Sequence, residues 1–229
     1  MKIQMKIFKY FIFPVFIILF NFSIKADIFF FDNFKWVKEK EFDDIKLYTY
    51  KNVNTITSFK AETIIKNQDA KLLYDTLLDF KNYPYIFPRT ITFEKKEQFA
   101  NNKYLFYSLI NFSPLMNRDY YIELEYYTQK LKNGNNIYIL RWSPYNQSGK
   151  FAVYKNIRRV KTIYGRWTIK ELENNKLYIS VEYHNDFEIN APASILNTVE
   201  KRSTVKAINN LLNFISDNKK SKINHSIKH

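Results

Sequence analysis

Arg118 is the residue in this chain best placed to do chemistry. It stands in the run Phe112-Ser113-Pro114-Leu115-Met116-Asn117-Arg118-Asp119-Tyr120, ahead of a segment in which Tyr120, Ile122, Leu124 and Tyr126 alternate with Glu123, Glu125 and Gln129. Such alternation belongs to a strand with one apolar and one polar face, and Arg118 has the apolar parity. A guanidinium turned into a hydrophobic interior is costly unless an anion or a hydrogen-bond acceptor meets it. Two readings follow: a contact for the polar end of a bound molecule, or an ion pair with a carboxylate such as Glu94 or the neighbouring Asp119. Phe106, Tyr120, Tyr126, Trp142, Trp167 and Tyr183 also face inward by parity, and either line a cavity or pack a solid core. Tyr and Trp, each with an apolar body and a polar tip, suit the rim of a site for a hydrophobic guest.

Other chemistry finds no support. The chain has three glycines, too few for a phosphate-cradling loop, so neither a P-loop nor a dinucleotide fingerprint can form. No Gly-x-Ser-x-Gly elbow occurs, and no His, Cys or carboxylate cluster has metal-ligand spacing. His184 lies opposite Val181 and Tyr183 in parity and reads as a solvated strand histidine; His225 and His229 fall near the C-terminus. No catalytic residue, metal or cofactor is expected.

The inward-facing residues need a sheet to hold them. Asp32–Glu41, with Trp36 and Val37, reads as a short helix, followed by strands at Ile45–Tyr50 and Asn54–Ile65. Asn67 is the expected N-cap of a helix from Gln68 to Asp79, whose Ala70, Leu73, Leu77 and Phe80 make an apolar stripe. Tyr83-Pro84 and Phe87-Pro88 then stop it. Three hairpins follow, turning at Asn101-Asn102, Asn133-Gly134 and Asn174-Asn175, with strands over 90–99 and 103–112, 119–131 and 136–143, 157–172 and 176–189. Asn-Gly predicts a type I′ turn, which needs positive φ at both central residues. A last helix opens near Pro192 or Ser194 and runs to about Ser216, with Ile208, Leu211, Leu212 and Ile215 on one face. Ile195, Leu196 and Val199 sit on a rotated face, and polar Lys201-Arg202-Ser203-Thr204 separates the halves.

The ends of the chain bear on its address. Lys2, Lys6 and Lys9, an apolar run from Tyr10 to Phe22, and Ala26 read as a signal peptide over 1–26, with an uncleaved membrane anchor as the alternative. Residues 27–216 form one domain, and 217–229 a basic disordered tail. Formal net charge is +14, or +10 once the four lysines of the leader are removed. That surplus favours an anionic surface, and export selects a membrane over nucleic acid; lysines that only keep an aromatic-rich domain soluble are the plainer reading. Lys219-Lys220-Ser221-Lys222 would add about 1 kcal/mol per charge near anionic lipid. Without cysteine, the chain has no disulfide, thiolate metal site or lipid-modified cysteine. The Lys, Asn and Ile bias suggests an AT-rich bacterial genome and hence a periplasm.

An N-terminal helix and two strands, a short helix, a long antiparallel meander and a closing helix make an α+β helix-grip fold, a curved antiparallel β-sheet wrapped around a long C-terminal α-helix. From about Phe34 to Ser216 the chain resembles the START domain, the lipid-transfer branch of the Bet v 1-like superfamily. The marks are Trp36 ahead of Ile45-Lys46-Leu47-Tyr48, then Phe59-Lys60-Ala61, Asp79 before the proline-bearing segment, Pro114 with Asn117-Arg118-Asp119, Gly165-Arg166-Trp167, and Asn190-Ala191-Pro192. Their order carries the resemblance; Tyr83, Tyr85 and Phe87 stand where the family often has tryptophan. The resemblance implies a monomer that holds one lipid or sterol in a tunnel between sheet and last helix, with Arg118, Phe106, Tyr120, Trp142, Trp167 and Tyr183 around it. It implies carriage between envelope membranes, with transient contact to an anionic membrane surface and the weak point at Lys201–Thr204. Alternatives are a polyketide cyclase- or aromatase-like enzyme, and a lipid-dependent sensor or partner-binding domain.

Overall fold

Alternating burial builds the sheet. In the strand Thr162–Leu172, Ile163, Gly165, Trp167 and Ile169 are buried and the residues between them half-buried. The structure, a computed structural model, describes residues 31–51, 57–87, 89–113, 115–189 and 192–226. The expected signal segment 1–26, the strand start at Asn54, Pro88, Pro114, Asn190-Ala191 and the last three residues of the tail lie outside the described residues.

The backbone divides into Met1–Lys35 and Trp36–His229. In the first unit, the Phe31 and Phe34 rings meet edge to face at 5.5 Å. The second unit carries β1 (Val37–Phe42), β2 (Ile45–Tyr50), β3 (Ser58–Lys66), α1 (Ala70–Leu78), α2 (Tyr83–Ile86), β4 (Thr90–Ala100), β5 (Lys103–Ile110), β6 (Asn117–Lys130), β7 (Asn136–Pro144), β8 (Ile157–Arg159), β9 (Thr162–Leu172), β10 (Lys176–Asp186) and α3 (Ala193–Ser226). The strands form one curved sheet in the order β1-β2-β3-β10-β9-β7-β6-β5-β4. Register shifts in the β4–β5 pair mark bulges, which add local bend and twist.

Five local expectations are corrected. Val37–Phe42 is a strand, not a helix, because it pairs along β2 and its Glu39 accepts from the Thr49 hydroxyl at 2.8 Å. The 157–172 strand is broken into β8 and β9, since Arg159 turns away to meet Asp119 and β8 pairs parallel with the start of β6. The cap of α1 is Asp69, whose Oδ1 accepts from the Lys71 and Leu72 N–H groups, while Asn67 is left-handed at φ 56. Helix α1 ends at Leu78 before either proline, and Pro84 opens α2, since its missing N–H costs nothing in a first turn. The turn after β6 runs through 131–135 with Gly134 at φ 88, whereas Asn174 and Asn175 are both left-handed at φ 58 and 54.

Helix α3 is continuous through the polar Lys201–Thr204 and past Ser216 to Ser226, so the segment expected as a disordered tail is helical over most of its length. The side chains of Lys219, Lys220 and Lys222 lie outside those described. Thr204, Val205, Ala207, Ile208, Leu211 and Ile215 bury one face of its middle, whereas Ile195 is exposed and Leu196 and Val199 are half-buried. Its first half is therefore lightly packed. Asn210 Nδ2 donates to the Ile86 carbonyl at 3.1 Å and ties α2 to α3.

Candidate functional site

Beneath α2 and the first half of α3 lies a cavity of about 90 Å³. Its floor is the apolar face of the sheet: Tyr120, Ile122 and Leu124 from β6, Trp142 from β7, Ile163 from β9 and Tyr183 from β10. Tyr83, Phe87 and Phe93 close one side, Phe112 and Phe187 another, and Glu200 and Ser203 come from α3. Gly165 makes room for the floor. It is paired with Trp142, and a Cβ at Gly165 would fall 1.9 Å from the indole, so only glycine lets that ring lie across β9.

Aromatic rings fill most of the remaining space. Phe87 stands edge-on to Trp142, Trp167 and Tyr183, each at 6.1 Å between centroids, and Tyr83 stacks on Phe93 at 4.2 Å. The residual void has the liquid volume of about three waters at roughly 30 Å³ each. A long acyl chain therefore enters only if Phe87 and its neighbours move aside.

The expected site residues divide. Tyr120, Trp142 and Tyr183 line the cavity. Phe106 and Trp167 are core residues outside its lining: Phe106 packs on Phe80 at 4.4 Å and Phe93 at 4.7 Å, and Trp167 lies behind Phe87. Tyr126 stacks on Tyr104 at 6.0 Å, also away from the cavity.

Arg118 is buried and inward by parity, yet it does not line the cavity. Its Nε donates to the Phe187 carbonyl at 2.8 Å, Nη1 to the Met116 carbonyl and Nη2 to the Glu188 carbonyl at 3.5 Å. Phe112 covers it, with the guanidinium 5.5 Å from that ring. Neither Glu94 nor Asp119 is its partner. Glu94 pairs with Lys96, and Asp119, one residue on, points to the other face as alternation requires. There Asp119 takes a bidentate contact from Arg159 at 2.7 and 2.8 Å, and Arg159 also donates to the carbonyls of Ser148 and Ala152. Arg118 thus anchors the loop after β10. His184, expected in solvent, is half-buried with Nδ1 2.9 Å from the Ser58 hydroxyl, and burial lowers its pKa.

The cavity's charged group was missed from sequence. Burial raises the Glu200 carboxyl from 4.5 to about 7, opposed by Arg89; by surface area the residue is half-buried. Its signal was a lone acid on the rotated face of the first half of α3, next to Val199. Burial also raises the Tyr120 phenol to about 12 and holds those of Tyr83 and Tyr183 well above the ordinary 10.0. The Tyr83 and Tyr183 hydroxyls and Asn185 Oδ1 are buried without a hydrogen-bond partner, a cost of about 1–3 kcal/mol each in a dry site. Among the described residues, no three His, Cys, Asp or Glu side chains group to hold a metal ion.

A curved antiparallel sheet gripping a long C-terminal helix over an apolar cavity is the helix-grip fold of START lipid-transfer domains, and this chain has it. Human STARD10 superposes with a TM-score of 0.67 at 15% identity, over 85% of this chain and 78% of that one. A STAR-related lipid transfer protein fragment from Xanthomonas axonopodis gives 0.63 at 17% identity, over 77% of this chain and 96% of that one. The lipid transfer and protein localization domain of human StarD13 gives 0.60 at 12% identity, over 78% and 87%. No protein-family model matches the sequence, and no curated protein matches it.

Proposed function

We propose that this chain binds one hydrophobic molecule beneath α3 and carries it between membranes of a bacterial envelope, working as a monomer without catalysis. The observation that carries the reading is an aromatic-lined cavity whose polar atoms at one end lack partners, in a fold shared with lipid-transfer domains. A long hydrocarbon tail left in water costs on the order of 10 kcal/mol at about 0.8 kcal/mol per CH₂, and an enclosed cavity offsets that cost in transit. Loading requires α2 and the start of α3 to swing from the sheet, and the opening turns of α3, with Ile195 exposed and Leu196 and Val199 half-buried, are lightly packed. The basic surplus would hold the domain on acidic head groups meanwhile, and the lysine-led N-terminus supports export.

Transfer of a fluorescent lipid between donor and acceptor vesicles tests the reading. Addition of protein should accelerate it in proportion to protein concentration; a rate equal to the protein-free rate for sterols, diacylglycerols and phospholipids alike would overturn carriage.

A second reading rests on Glu200. A carboxyl that titrates near neutrality inside a cavity beside tyrosine hydroxyls is the acid–base group that a cyclase-type reaction needs. Turnover of a polyketide substrate, abolished by Glu200→Gln, would favour this reading.

A further inference from the structure

The carrier reading, on which this inference rests, leaves the polar character of the guest open. The Tyr83 and Tyr183 hydroxyls and Asn185 Oδ1 are buried and unpartnered, and all three residues line this one cavity. Glu200 and Ser203 face them from α3. Among the described residues, the Glu200 carboxyl has no hydrogen-bond or ion-pair partner. Glu200, Tyr83 and Tyr120 all lie close enough to Tyr183 to disfavour ionisation of its phenol.

We propose that this cluster receives the hydroxyl group of an uncharged amphiphile and turns away guests that end in an anion. A hydroxyl brings one donor and two acceptor positions. Its one O–H can donate to either the Asn185 or the Glu200 oxygen, and the Tyr83 and Tyr183 hydroxyls can donate to its oxygen, so one group can pair three of these four. An anionic end brings no donor and meets the Glu200 carboxylate. Arg89, also on the lining, does not reverse this preference. It is exposed, its guanidinium lies over the Phe112 ring at 5.2 Å and, among the described residues, it makes no ion pair with Glu200.

The selectivity carries a pH signature. The groups facing Glu200 are Arg89, Tyr83, Tyr120 and Tyr183, and the phenols stay protonated well above neutrality. Glu200, raised to about 7, is thus the group that changes charge between mildly acidic and mildly basic solution.

The test compares hexadecan-1-ol with hexadecyl sulfate, which has the same chain and a charge that does not titrate. Binding to the full-length protein is read by tryptophan fluorescence, with Trp142 on the cavity wall, and by native mass spectrometry, below the micellar concentration. At about pH 8 the alcohol should bind about tenfold more tightly, the scale of one hydrogen bond to a charged group. Lowering the pH to about 6 should narrow the ratio, as should Glu200→Gln. Tyr183→Phe should weaken the alcohol several-fold, and Glu173→Gln, in the distant β9–β10 turn, should leave the ratio in place. Equal or tighter binding of the sulfate at about pH 8, or a ratio untouched by Glu200→Gln, overturns the inference while the carrier reading stands. If neither compound binds, and lipid transfer is also absent, both fall.

Discussion

Glu200 makes stability depend on pH in a stated direction. Its folded value of about 7 lies above the ordinary 4.5, so the folded chain holds a proton there that the unfolded chain has released. The stabilisation is complete below about pH 4.5 and is lost as pH rises through about 7, with a ceiling of about 3 kcal/mol. Urea denaturation of Glu200→Gln against the parent should show this slope removed, the variant being the more stable at about pH 8; parallel profiles would refute the assignment. Asp119 gives a larger effect. Asp119→Ala leaves Arg159 buried without its counterion and should cost about 3–5 kcal/mol in urea denaturation at about pH 7. At this scale the sequence was half legible. Period-two alternation placed Arg118 inward, because parity is local, but two of its three acceptors are carbonyls some seventy residues away, and no spacing rule encodes them. Glu200 escaped notice because an isolated acid on a helix usually faces water.

Among the elements, those set by local pattern matched their expected type: β2, β4 to β7, β10 and the buried face of α3. Elements set by distant partners did not. The lysine- and glutamate-rich β1 becomes a strand because β2 offers it an edge, and β8 leaves its expected hairpin because Arg159 must reach Asp119. Gly165 links element to site. Gly165→Ala should force the Trp142 indole off the cavity wall, destabilise by about 1–3 kcal/mol as overpacked cores do, and shift the tryptophan emission. An unchanged spectrum and stability would mean that the ring does not lie across β9. Phe87, wedged among Trp142, Trp167 and Tyr183, should act in the opposite sense: Phe87→Ala enlarges the void and should admit bulkier guests at a stability loss of about 3–5 kcal/mol, checked by native mass spectrometry and calorimetry.

For the whole molecule, the net charge of +14 over the full sequence bears on the proposed docking at membranes. If lipid exchange proceeds from an anionic surface, raising salt from about 0.05 to 0.5 M should slow transfer to acidic acceptor vesicles, because charges beyond a Debye length of about 10 Å are screened at 0.1 M. Transfer to neutral vesicles should barely respond. Equal salt effects on both would remove electrostatic docking from the mechanism.

The small void beneath the last helix bears on how the fold tolerates a ligand-sized hollow, if it binds a guest as proposed. A dry hollow on the order of 500 Å³, within the usual span of ligand pockets, would cost about 12 kcal/mol at 24 cal/mol per Å³, comparable with the whole stability of a domain. With the rings folded inward, about 90 Å³ is left and the same rule gives about 2 kcal/mol. Under the proposed reading, a guest would have to pry apart the rings that spare the fold this penalty.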